Sequence, residues 1–238
     1  MAKVLLARPL PEAVVTRAQA LFDVTVRAET TPLSGTEMRA ALADYDAVMP
    51  TLGDLFRAEV FADVPGARCK LLANFGVGFN HIDAAAAVAA GIAVTNTPGA
   101  VTDATADIAM TLMLMSARRA SEGERMVRAG AWEGWHPTQM LGLHLSGKTV
   151  GIIGMGRIGQ AIARRCHFGF GMEVLYFNRS QKTMTFPARQ VAGLTELAAQ
   201  VDVLVVATPG GAQTHHLVGA EVLAAMRPHG RVINIARG

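Results

Sequence analysis

Three glycines are spaced to hold a phosphate. Gly154-Met155-Gly156-Arg157-Ile158-Gly159 follows the apolar run Val150, Ile152, Ile153 and opens a helical pattern carried by Ile158, Ala161, Ile162 and Arg165. A second apolar run, Met172 to Phe177, ends at Asn178-Arg179-Ser180. Strand, glycine turn, helix and strand in this order make a dinucleotide-binding unit. Gly154 serves the tight turn, Gly156 lets the backbone approach a pyrophosphate, and Gly159 lets the helix pack closely on the strand. The helix N-terminus at Arg157 and Ile158 offers N–H groups and the positive end of its dipole to phosphates. The bland alternative is a glycine-rich turn without a ligand.

The end of the second strand bears on which nucleotide is taken. An acidic residue about 20 positions beyond the fingerprint would hold the 2′-hydroxyl of NAD. That place falls at Asn178, with Arg179 and Ser180 after it. A carboxylate there would repel a 2′-phosphate, whereas an arginine and a hydroxyl would hold one. The expectation is NADP(H) preference with NAD(H) possible; the alternative is that Arg179 is a solvated loop charge and either cofactor is accepted.

A second candidate site lies in Gly76-Val77-Gly78-Phe79-Asn80-His81-Ile82-Asp83. Glycines on both sides of Val77 allow successive N–H groups, those of Val77 and Gly78, to converge on a substrate carboxylate. Asp83 caps the alanine-rich helix that follows, and His81 is read as a structural loop histidine rather than a base. Leu52, in the Pro50-Thr51-Leu52-Gly53 loop, is a generic pocket residue. Thr105 and Asp107 either face a cofactor cleft or decorate the first turn of a helix from Thr102 to Arg118. The Met110, Leu112, Met113, Met115 stripe of that helix is read as core. Trp132 and Trp135 pack either on a partner subunit or in a local core. Thr208-Pro209 ends a strand where a nucleotide would pass. His215 and His216 are adjacent, so they cannot share a helix face as a metal pair.

These residues need elements to position them. Strands are expected over Lys3–Ala7, Val24–Val26, Tyr45–Met49, Lys70–Phe75, Ile92–Thr95, Val203–Ala207 and Arg231–Ala236, with helices between them, including Glu12–Phe22 and Leu217–Met226. The alternation implies parallel α/β architecture, with ligands at the C-terminal ends of strands. With 238 residues, 51% of them hydrophobic, the chain can bury one large or two medium cores. Its net charge of +3 comes from scattered basic residues, which argues against nucleic-acid binding. Two cysteines make neither a disulfide framework nor a metal site and fit a reducing, cytoplasmic setting. The longest apolar stretch, 108–117, is too short to span a membrane, and Met1 to Leu10 lacks a signal-peptide pattern.

Together these residues resemble the D-isomer-specific 2-hydroxyacid dehydrogenase family, across essentially the whole chain. The markers are Asn74 to Asp83, Asn96-Thr97-Pro98-Gly99, Thr102 to Asp107, Gly154 to Gly159, and Asn234-Ile235-Ala236-Arg237-Gly238. Their wording is most similar to glyoxylate and hydroxypyruvate reductases. The resemblance implies two doubly wound parallel-sheet domains, a flavodoxin-like substrate domain over 1–99 and a Rossmann nucleotide domain over 100–238 that lacks its C-terminal part. It implies a homodimer and NADPH-dependent reduction of a small 2-oxo acid to the D-2-hydroxy acid. The Val77-Gly78 backbone, with Leu52 nearby, would hold the substrate. Arg237 would bind the carboxylate and 2-oxo oxygen. Thr105, Gly154 to Gly159, Asn178 to Ser180, Thr208, Pro209, Ala236 and Arg237 would line the cofactor. The family's glutamate and proton-donating histidine lie beyond the Ala-Arg-Gly motif, and none of the seven histidines stands in a matching motif. The sequence as written is therefore expected to be incomplete or a truncated relative, to turn over little alone, and to leave Val232–Ile235 as an exposed apolar edge. Two alternatives stay open: a non-catalytic, corepressor-like NAD(P)-binding module, or an NADH-linked phosphoglycerate or formate dehydrogenase relative.

Overall fold

A computed structural model describes residues 1–236; Arg237 and Gly238 lie outside them. The chain forms two compact units, Met1–Val101 and Thr102–Gly238.

The first unit runs β1 (Lys3–Leu6), α1 (Glu12–Gln19), β2 (Asp23–Val26), α2 (Gly35–Asp44), β3 (Ala47–Met49), α3 (Ala58–Ala62), β4 (Leu71–Ala73), α4 (Ala84–Ala89) and β5 (Ala93–Thr95). Its strands pair in parallel in the order β2-β1-β3-β4-β5, the flavodoxin-like arrangement. Two helix starts are written into the side chains. Ser34 and Glu37 form a reciprocal capping box on α2, and Asp83 accepts the Ala86 N–H to cap α4. Leu42, Val48, Phe56 and Leu72 are wholly buried between sheet and helices.

The second unit runs α5 (Thr102–Arg118), α6 (Ala120–Arg128), β6 (Thr149–Ile153), α7 (Arg157–Phe170), β7 (Glu173–Phe177), β8 (Arg189–Gln190), α8 (Leu194–Gln200), β9 (Val203–Val206), a 3-10 turn (Ala212–Thr214), α9 (Ala220–Ala225) and β10 (Arg231–Asn234). The parallel order β10-β9-β6-β7-β8 is the nucleotide-binding order 3-2-1-4-5 read from its far edge. Central strands β6 and β9 are covered on both faces. Ile152 and Val205 join one core with Met113 and Ile162, while Ile153 and Leu204 join another with Leu197 and Val222. Burial on both faces is why β6 and β9 read as near-continuous apolar runs. The strand order reverses between β6 and β9, so their C-terminal ends form the crevice where ligands bind such sheets.

Several sequence expectations need correction. α3 and the two-residue β8 have no counterpart among them. α1 stops at Gln19, short of Phe22. α9 begins at Ala220 rather than Leu217, because Gly219 is extended, at φ −88° and ψ −178°, and caps the helix from outside it. The α5 stripe is only half core: Met110 and Met113 are buried, but Leu112 and Met115 are exposed, as they lie on the opposite side of the helix. Trp132 and Trp135 are exposed at 54% and 79%, which removes the local-core reading for both. β10 lies at the sheet edge with Val232 exposed, while Ile233 points inward and is buried.

Candidate functional site

The three fingerprint glycines differ in what the fold demands of them. Gly154 has φ +97°, and a Cβ there would stand 2.9 Å from the Ala207 carbonyl oxygen and 3.0 Å from Thr208 Cγ2. A Cβ on Gly159 would overlap the Gly154 carbonyl oxygen. Both are glycine because the protein leaves no room. Gly156 has an ordinary φ of −79°, and a Cβ there would meet no heavy atom within 4 Å. Nothing in the fold requires glycine at this exposed position, so the absent side chain leaves open space rather than relieving a clash.

Free donors face that space. Gly156 offers no side-chain cap to α7, and the first bond inside the helix is from the Gln160 N–H to the Gly156 carbonyl. The N–H groups of Arg157, Ile158 and Gly159 therefore have no acceptor among the described residues, and the helix dipole adds positive charge there. Two neighbouring turns are tied to this one. Asn178 Oδ1 accepts the Met155 N–H at 3.2 Å, while its Nδ2 donates to the Ser180 carbonyl at 2.7 Å. The Arg179 guanidinium donates to Gln213 Oε1 at 2.9 Å, across to the loop that follows β9. Thr214 Oγ1 donates to the Pro209 carbonyl and firms that loop. Gly154, Met155, Gly156, Asn178, Arg179, Ser180, Thr208 and Pro209 thus gather at the β6–β9 crevice. The group fits a dinucleotide: an open backbone cradle, unpaired donors for a pyrophosphate, and a cation at the ribose end of β7. Ala236 follows β10, its N–H bonded to Asn234 Oδ1. Thr105 stands half-buried in the first turn of α5, with no hydrogen bond linking it to the glycine turn. On the same helix Asp103 and Asp107, one turn apart, pair with Arg165 of α7 at 3.0 and 2.9 Å, so Asp107 is engaged in helix packing. Arg237 lies outside the described residues.

In the first unit the turn after β4 is built differently. Asn74 is buried, and its Nδ2 donates to the carbonyls of both Gly76 and Gly78, at 3.0 and 2.9 Å. Asn96 Nδ2 donates to the Val77 carbonyl at 2.8 Å. With these carbonyls drawn back, the N–H groups of Val77 and Gly78 are left without an acceptor among the described residues. Such consecutive free N–H groups form an anion-binding concavity. Leu52 borders it, its Cδ2 lying 3.5 Å from where a Gly76 Cβ would be. The Leu52 loop is held by Asp54, which is fully buried. One carboxylate oxygen accepts from Arg8 Nη2 and the Leu33 N–H, both at 2.8 Å, and the other from the Thr51 N–H at 2.7 Å. Arg8 follows β1 and Thr51 follows β3, so this clamp closes the point where the strand order of the first sheet reverses. His81 is buried in the turn before α4, consistent with a structural loop residue.

No group of three or more metal-ligating side chains occurs among the described residues, and the His215 and His216 rings lie tilted by 31° with centroids 3.8 Å apart. No described helix is long and apolar enough to cross a membrane. The residues that sequence reasoning missed are Gln213, Asn96 as a turn-holder, and the Arg8–Asp54 clamp. Each acts through a contact between distant positions that no local pattern signals.

A parallel sheet of order 3-2-1-4-5 with a glycine turn at its reversal point defines a dinucleotide-binding α/β protein. Comparison with known proteins narrows that class. Residues 110–238 match the model of the D-isomer specific 2-hydroxyacid dehydrogenase, NAD binding domain. The chain is 39% identical over 242 residues to a glyoxylate reductase of Thermococcus gammatolerans, covering 99% of this chain and 72% of that protein. Among solved structures it is similar to the TT0316 protein of Thermus thermophilus, with a TM-score of 0.90 and 39% identity over 99% of this chain and 74% of that one. An acyclic imino acid reductase solved with NADPH and D-Arg superposes with a TM-score of 0.87 at 25% identity, over 99% of this chain and 75% of that one. The chain belongs to the D-isomer specific 2-hydroxyacid dehydrogenase family and is an oxidoreductase with a nicotinamide cofactor.

Proposed function

We propose that the protein reduces a small 2-oxo acid, glyoxylate or hydroxypyruvate, to the D-2-hydroxy acid with NADPH. The observation that carries the reading is Gly156: a glycine that the fold does not need, beside three unpaired helix N–H groups. In this reading residues 100–238 are the nucleotide domain and residues 1–99 the substrate domain. The α7 N-terminus holds the pyrophosphate, and Asn178, Arg179 and Ser180 meet the ribose 2′-phosphate. The bound nicotinamide supplies the hydride. The Val77 and Gly78 N–H groups receive the substrate carboxylate, which fixes the 2-carbon. Leu52 fills the side of the pocket and limits the substituent to a small one. Arg237 binds the carboxylate and the 2-oxo oxygen, polarising the carbonyl. A glyoxylate reductase at 39% identity supports the substrate class. We further assign the protein to the reducing cytoplasm, supported by two buried free cysteines. We assign a homodimer, supported by the exposed Trp132, Trp135 and Leu112 of the second unit.

The test is a fluorescence titration with NADPH and NADH, together with Gly156→Val. NADPH is expected to bind at least about tenfold more tightly, the order of one charge-assisted hydrogen bond. Gly156→Val is expected to keep its circular dichroism spectrum and thermal transition while losing both cofactors, since the side chain enters space the fold leaves empty. Retained binding by a folded Gly156→Val would place the nucleotide elsewhere. Equal affinities for the two cofactors would remove the NADP assignment.

A further inference from the structure

Arg179 does not reach into solvent alone. Its Nη1 donates to Gln213 Oε1 at 2.9 Å, 34 residues further along the chain. Gln213 is the middle residue of the 3-10 turn over Ala212–Thr214, in the loop that follows β9. The turn is held in place: the Thr214 N–H bonds the Gly211 carbonyl at 3.0 Å, and Thr214 Oγ1 donates to the Pro209 carbonyl at 2.7 Å. One guanidinium donor of five is committed to Gln213, and among the described residues no other acceptor meets this side chain, so its remaining edge stays available for a bidentate contact.

The chemistry of the partner matters as much as its position. A glutamine oxygen accepts the bond but carries no charge, so it orients the guanidinium without neutralising it. A glutamate of the same length would form an ion pair with Arg179 and set a negative charge beside any phosphate that Arg179 takes. We propose that Gln213 is a specificity-determining positioning residue for a 2′-phosphorylated adenosine ligand: it holds Arg179 at the crevice while leaving its positive charge uncompensated. This rests on the assignment of Arg179 to the 2′-phosphate made above.

The experiment uses calorimetric titration of the protein with 2′,5′-ADP and ADP, which probe the adenosine end without turnover. Arg179→Ala, Gln213→Glu and Gln213→Ala are compared with the parent. The parent is expected to prefer 2′,5′-ADP. Gln213→Glu, nearly isosteric, is expected to lose at least about tenfold of that preference while ADP affinity stays within twofold or so, because only the phosphate meets the new charge. Gln213→Ala is expected to lose less, about threefold, because the guanidinium keeps its charge and loses only its placement. A merely structural role would lower both ligands together. If Arg179→Ala abolishes the preference but Gln213→Glu retains it, the Arg179 assignment stands and the inference about Gln213 is overturned. If Arg179→Ala leaves the preference intact, the assignment itself fails and takes the inference with it.

Discussion

Both candidate anion sites depend on an asparagine at the end of a strand, and the two asparagines work in opposite senses. Asn178, after β7, uses its carbonyl oxygen to take up the Met155 N–H. Asn74, after β4, uses its amide nitrogen to take up the Gly76 and Gly78 carbonyls. The difference follows from what comes next in the chain. Beyond Gly156 a 14-residue helix begins, so free N–H groups are supplied by the helix end and one nearby can be used to hold the turn. Beyond Gly78 no helix begins until Ala84, and Asp83 already takes up an N–H of its first turn. There the donors have to be produced by drawing carbonyls away from them. A helix supplies an anion site without recruiting side chains; a turn needs dedicated residues to make one.

The sharpest way to break this comparison is to place a carboxylate at each asparagine. Asn74→Asp sets a buried negative oxygen against two carbonyl oxygens, takes the Nδ2 donor from both, and leaves the Gly76 carbonyl with the Thr97 N–H alone. Leaving buried polar groups unpaired costs about 1–3 kcal/mol each, and more with a charge. A loss of about 3 kcal/mol or more is expected in denaturant unfolding, along with loss of the ordered turn. If Asn74→Asp unfolds at the parent's denaturant midpoint, the carbonyl-tethering account of the turn is wrong.

Asn178→Asp is expected to be far milder in stability, since a carboxylate still accepts the Met155 N–H and the side chain is only half-buried. Its effect falls on the ligand. The donation to Ser180 is lost and a negative charge faces the 2′-phosphate, so the preference for NADPH over NADH should fall about tenfold or more. Competitive titration of both cofactors checks this. A preference unchanged in Asn178→Asp would mean that the β7 end does not read the 2′ position.

The legibility of these features in sequence is uneven for physical reasons. The Thr102–Arg118 helix and the Gly154 to Gly159 turn are readable because periodicity and glycine spacing are local. Asp83 is readable as a cap for the same reason. The short helix at Ala58–Ala62 has no side-chain cap to announce it and is stabilised by burying Val60 and Phe61. β8 exists only through pairing with β7. At the candidate sites the fingerprint assigns each of the three glycines a separate role from spacing alone, and the crowding of Gly159 by the Gly154 carbonyl is local to it. The crowding of Gly154 comes from Ala207 and Thr208 after β9, which no spacing within the fingerprint shows. The Asn96–Val77 bond and the Arg8–Asp54 clamp join positions separated by 19 and 46 residues, beyond the reach of any spacing argument.

The smallest expected effect separates the two units by acid. In the first unit, the Ser34 backbone and side chain together with Arg27 hold the Glu37 carboxyl down at about 2. Arg68, helped by the Lys3 N–H, holds Asp46 at about 2. In the second unit Arg119 lowers Glu122, and burial works to raise Asp202, but the Thr149 N–H, His229 and Arg227 outweigh it and keep it below the usual range. A carboxyl lowered in the folded state stabilises fully above its unfolded value of about 4, and that contribution is lost as pH falls toward the folded value. Each unit thus has two lowered carboxyls, but those of the first are displaced further, so unfolding the first unit at about pH 3 takes up more protons and the first should have the steeper acid limb. Each unit carries one wholly buried thiol as a reporter, Cys69 in the first and Cys166 in the second. Pulse labelling with a disulfide reagent active in acid, read by peptide mass spectrometry, follows both at once. Cys69 is expected to become reactive at a higher pH than Cys166, and Asp46→Asn combined with Glu37→Gln should flatten the Cys69 limb and narrow the gap. Added salt should narrow it too, because both lowered carboxyls of the first unit lie in solvent-accessible pairs, whereas of the second unit's two only Glu122 does and Asp202 is buried. Labelling of Cys166 first, or of both at one pH, would show that these carboxylates do not set the acid response of the units that hold them.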